Sequence, residues 1–101
     1  MYIFEIQRTF IANGFTEIDY TRINHFIGYG DTRFERLFTN GKIHIFIYWK
    51  YNDKDEVCLM LCEIKSNSEY IKELFEIFTE NDNSVKINNL EELNKTLKSI
   101  I

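Results

Sequence analysis

Proline is absent from this sequence, and glycine, cysteine and histidine are scarce: four, two and two residues in 101. Gly14, Gly28, Gly30 and Gly41 never fall in the GxxxxGK or GxGxxG spacing, which excludes a glycine-rich phosphate cradle. Cys58 and Cys62 have the wrong spacing for a zinc knuckle, and neither His25 nor His44 has an HxxxH or HExxH companion. Within one strand the two cysteines would stand roughly 13 Å apart, too far for a disulfide between them. The longest apolar runs, "IFIYW" and "VCLML", fall far short of the roughly 20 residues that span a bilayer. Glu5 and Arg8 interrupt the stretch that would have to be the apolar part of a signal peptide. Together these absences predict a cytoplasmic protein that holds no cofactor or metal and has no membrane partner.

Positive charge is also in deficit. Lys and Arg number 12 against 16 Asp and Glu, a formal charge of -4, which argues against general attraction to phosphate backbones or anionic lipid. Acidic groups at Glu17 and Asp19, at Asp53, Asp55 and Glu56, and at Glu80 and Asp82 are dispersed, as on a surface kept soluble by charge.

What is abundant is apolar and aromatic. At 45% hydrophobic and 16% aromatic, the chain has enough to build one core, and a chain this long buries roughly 65% of its unfolded surface. Residues 1–101 are expected to form a single α+β domain. The wealth of Ile, Asn, Lys, Phe and Tyr, whose codons are AT-rich, points to an AT-rich bacterium or a phage as the source.

Periodicity divides the chain into three parts. Residues 2–13 read as a helix, with Tyr2, Ile3, Phe4, Ile6, Phe10 and Ile11 on one broad arc, and Gly14 followed by Phe15 as a Schellman ending. From about 17 to 65 the period is two, punctuated by "GYGD", "TNGK" and "NDKD". Two helices follow. Ser66 with Glu69 and Asn89 with Glu92 could box their starts, and the stripes are Ile71, Leu74, Phe75, Phe78 and Leu90, Leu93, Leu97, Ile100. "SVKI" between them fits a short edge strand. The predicted fold is a four-stranded antiparallel meander with one N-terminal and two C-terminal helices (α-ββββ-α-α).

Tight turns set the expected registers. A Gly30-Asp31 turn puts Ile23 opposite Phe38, an Asn40-Gly41 turn puts Phe38 opposite Ile43, and a four-residue loop from Asn52 to Asp55 puts Trp49 opposite Cys58. Ile43, Ile45, Ile47, Trp49, Met60 and Ile64 then share a core face. Arg36 falls among them, so it must snorkel, pair with a carboxylate or mark a bulge.

The opposite face is the candidate site. It collects Phe26, Phe46, Tyr48, Leu59 and Leu61 with Arg33, His44, Lys50 and Glu63, and it sets His44 opposite Glu63 and Arg33 opposite Tyr48. An apolar centre with a charged margin is the composition of a protein interface, and the alternative is that one of the helices or a second copy covers this face. Exposed aromatics on a sheet also suit single-stranded RNA, but the stretch "KIHIFIYWKY" lacks the glycine-flanked aromatic signature and the net charge is unfavourable. A cysteine nucleophile with a histidine base finds no support, because this register sends Cys58 and Cys62 to the face away from His44.

The order helix, four-strand meander, two helices resembles the layout of RWD and ubiquitin-conjugating domains. With no proline motif, and with both cysteines inside a strand, no residue or activity carries over from them. In size, acidity and composition the chain resembles the small inhibitors of phages and mobile elements, anti-CRISPR proteins among them, and cytoplasmic immunity proteins. The expectation is a non-enzymatic protein that inhibits or modulates a larger protein or nucleoprotein. The alternatives are a toxin-immunity protein or homodimeric adaptor, and single-stranded RNA binding.

Overall fold

Three helices and five strands make up the computed structural model of the chain, which describes residues 2–18, 35–51, 57–81 and 83–100. The first helix, α1, runs Ile3–Ala12. Its start is fixed by Glu5 Oε1, which accepts a hydrogen bond from the Tyr2 N–H at 3.0 Å. Its end is the Schellman motif expected of Gly14. The Phe15 N–H reaches the Phe10 carbonyl at 3.0 Å and the Gly14 N–H reaches that of Ile11 at 3.0 Å, with Gly14 at φ +84°. Phe15 then folds back edge-on against the Phe10 ring, 5.7 Å between centroids.

The strands β1 (Thr16–Ile18), β2 (Glu35–Thr39), β3 (His44–Tyr51), β4 (Val57–Ile64) and β5 (Val85–Ile87) form one antiparallel sheet in the order β1-β2-β3-β4-β5. The sheet therefore has five strands rather than four. The extra strand is the "SVKI" segment, which pairs along β4 after the helix α2 (Ile71–Asn81). The last helix, α3 (Leu90–Ile100), opens as expected with Asn89, whose Oδ1 accepts the Glu92 N–H at 2.8 Å. Glu92 itself reaches one residue further back, to Asn88. The start of α2 differs from the predicted Ser66–Glu69 box. Ser68 Oγ accepts the Tyr70 N–H at 3.2 Å and donates to Glu73 Oε2 at 3.0 Å, so the helix begins about one turn later.

Three registers depart from expectation. Between β2 and β3, Phe38 faces Ile45 and Thr39 faces His44, a shift of two residues. The cause is the Asn40 side chain. Its Oδ1 accepts the N–H groups of Lys42 and Ile43 at 2.9 and 3.0 Å, which builds a wider loop than a two-residue turn. Facing is preserved because the shift is even. Between β3 and β4 the shift is odd: Trp49 faces Leu59, Ile47 faces Leu61 and His44 faces Ile64, with Tyr51 opposite Val57. Every β4 side chain therefore changes sides relative to the predicted meander. In β1, Glu17 rather than Ile23 lies opposite Phe38. The Gly30-Asp31 turn lies outside the described residues.

Both sheet faces are consequently core. One, with Phe38, Ile45, Ile47, Leu59, Leu61 and Ile87, packs against Ile6 and Phe10 of α1 and Leu93 and Leu97 of α3. The Phe10 and Phe38 rings stack there, 3.8 Å between centroids. The other, with Leu37, Phe46, Tyr48, Cys62 and Ile64, packs against Leu74 and Phe78 of α2. Arg36, on the α1 side at the β1 edge, meets the Glu17 carboxylate at 2.9 Å, one of the three outcomes open to it. Gln7 of α1 donates to the other oxygen of the same carboxylate at 2.9 Å.

Candidate interaction surface

The residues singled out by alternation do not form one surface. Phe46 has no exposed area, lies 5.5 Å from the Tyr48 ring and meets Phe78 of α2 edge-on at 4.7 Å. Tyr48 is buried beside it and its hydroxyl donates to Ser84 Oγ at 3.0 Å. Leu59 and Leu61 are buried on the opposite face, against α1 and α3, because of the odd register of β4. Glu63 is half-buried and lies across from Ile45, not from His44. Glu35, not Arg33, pairs with Tyr48. Phe26 and Arg33 lie outside the described residues, as does the side chain of Lys50. With α2 over Phe46 and Tyr48, the sheet offers RNA no exposed ring of these two to stack on.

His44 is the buried polar residue of this region, 5% exposed. Its Nδ1 lies 2.7 Å from the Ser66 carbonyl, and a carbonyl only accepts, so Nδ1 carries the proton. The register puts His44 on the same face as Cys58 and Cys62, correcting the expectation that they are separated. The single hydrogen bond of His44 goes to Ser66, and the Cys62 thiol points to Asn83 Oδ1 at 3.6 Å. Neither cysteine is in a disulfide, and among the described residues no three His, Cys, Asp or Glu side chains gather as a metal site would require. No helix among them is long and apolar enough to cross a membrane.

What the fold does leave exposed is one side of α1. Tyr2, Phe4 and Ile11 are 71%, 52% and 64% exposed, although the sequence pattern placed all three on the apolar arc. The covered arc is narrower. Ile3, Ile6 and Phe10 repeat at i, i+3, i+7 toward the sheet, while Phe4, Arg8 and Ile11 repeat at i, i+4, i+7 toward solvent. The Tyr2 and Phe4 rings are parallel at 5.8 Å, and the Arg8 guanidinium sits over Phe4 at 5.6 Å from its centroid. The signal for this surface was Arg8, a charge in the middle of the second apolar repeat. No protein-family model, curated protein or solved structure matches this chain.

Proposed function

We propose that this chain is a non-enzymatic binding protein that acts by docking the outward side of α1 onto a larger protein, in the manner of the small inhibitors carried by phages and mobile elements. The observation behind this reading is the stripe of Tyr2, Phe4, Arg8 and Ile11. Three of the five large hydrophobic side chains exposed among the described residues lie on or at the cap of this one helix. Aromatic rings and arginine are the residue types that dominate binding energy at interfaces. A ring pair braced by a guanidinium presents a firm apolar surface that loses little side-chain freedom on docking.

The test is the paired variant Phe4→Ala, Ile11→Ala, with partner capture and sedimentation measured beside thermal melting. Loss of each anchor should weaken binding by about 2 kcal/mol or more, with the melting temperature nearly unchanged. Undiminished capture by the variant would place the working surface elsewhere. A wild-type chain that sediments as a dimer, and a variant that sediments as a monomer, would identify the occupant as a second copy of this chain.

A further inference from the structure

On the far side of the sheet from α1, a cleft of about 310 Å³ opens between β1, the loop that joins β2 to β3, and the segment entering α2. Ile18, Thr39, His44, Asn67, Glu69 and Leu74 are among its walls. Most of its polar groups are occupied. Thr39 Oγ1 donates to the Ile43 carbonyl at 2.8 Å, and the Ser68 hydroxyl is held between Tyr70 N–H and Glu73. Three are not: the Asn67 amide, the Glu69 carboxylate and Nε2 of the buried His44 ring have no hydrogen-bond or ion-pair partner among the described residues.

The Asn67 and Glu69 side chains stand at exposed positions, whereas the His44 ring is largely buried and meets the cleft as one of its walls. With Nδ1 donating to Ser66, Nε2 is the ring atom left to meet a ligand, and in the neutral form of the ring it offers a lone pair. The groups without a protein partner are thus a carboxylate, an amide that can accept, and a ring nitrogen that accepts in its neutral form. Among the described residues no lysine or arginine lines the cleft, and the Glu73 carboxylate accepts from Ser68, one of its lining residues. Ile18 and Leu74 supply an apolar wall for an aliphatic stem. An anion would meet the carboxylate, whereas a donor-rich cation on an alkyl chain suits both the polar groups and the apolar wall.

We propose that this cleft receives the side chain of a lysine or arginine from a protein partner, with its charged head between Glu69 and His44 Nε2 and its stem along Ile18 and Leu74. The proposal rests on the reading of the chain as a protein-binding protein and adds a recognition site separate from α1, on a surface whose charge complements a basic partner.

The test uses the folded protein and small probes, so it can fail or succeed independently of the α1 variant. Nα-acetylargininamide and Nα-acetyllysinamide are titrated against protein labelled for NMR at the His44 ring and the Asn67 side-chain amide. At least one should move both sets of signals, saturably, while neutral Nα-acetylcitrullinamide moves neither. Glu69→Gln, at an exposed position that the core does not use, should weaken that binding about tenfold with the backbone spectrum otherwise intact. No shift with either basic probe, an equal shift with citrulline, or unaltered affinity in E69Q would each overturn the assignment. Ethylammonium binding as tightly as the amino-acid amides would overturn it as well, because the cleft would then be a site for small free cations.

Discussion

Phe46 is enclosed by Tyr48 on its own strand and Phe78 on α2, with nothing left to solvent. Truncating such a ring removes its burial and leaves a cavity that a close-packed interior fills only in part. Phe46→Ala should therefore lower unfolding stability by about 3 to 5 kcal/mol in urea titrations. Tyr70, 75% exposed at the entrance to α2, is the control, and Tyr70→Ala should change stability by no more than about 0.5 kcal/mol. Equal effects of the two changes would mean that α2 does not cover the sheet. Single residues were readable where their chemistry forces a local answer. Arg36 had to snorkel, pair or mark a bulge, and it pairs with Glu17; Gly14 had to adopt positive φ and ends α1. Tyr2, Phe4 and Ile11 were not readable as surface, because apolarity alone does not say how wide an arc the neighbours will cover. That width is set by what packs on α1, the sheet and α3, which together leave Tyr2, Phe4 and Ile11 exposed.

At the scale of elements, ends were more legible than registers. The Asn89 cap follows from a side-chain oxygen placed just before an apolar stripe, and the structure has it accepting the Glu92 N–H. Asn89→Ala removes that acceptor from an exposed helix end and should cost about 1 kcal/mol, measured as a shift in urea midpoint at constant slope. A neutral result would show that water satisfies the first turn of α3 equally well. The register of β4 depended instead on whether its connection to β3 takes four or five residues. "VCLML" is apolar at every position, so no polar residue within it penalises the wrong choice. The consequence reached the candidate site. The odd shift moved Leu59 and Leu61 to the α1 face and brought Met60, Cys62 and Ile64 under or beside α2. What alternation presented as a spare apolar face is the second core of a sheet covered on both sides.

Across the whole molecule, the two cores are closed by different parts of the chain. The α2 face is completed locally, by the helix that follows β4, whereas the α1 face needs elements from near both ends. Asn13 Nδ2 donates to Asn94 Oδ1 at 2.9 Å across a sequence separation of 81, and Leu93 and Leu97 are buried against the same cluster as Ile6 and Phe10. Each fully buried leucine contributes about 1.5 to 3 kcal/mol, and whole domains are stable by only about 5 to 15 kcal/mol. Removing α3 takes away two such side chains and uncovers the rings they shield. A chain ended at Asn88 should therefore lose its cooperative thermal transition and bind a hydrophobic dye, although β2, β3, β4 and α2 are all retained. Lys95→Ala touches the same helix only through its exposed pair with Glu91, 3.4 Å apart, and should leave the transition within about 0.5 kcal/mol of wild type. A truncated chain that still melts cooperatively would mean that the sheet and α2 form a stable unit alone. In that case α1 and α3 would be an added layer rather than a part of the core.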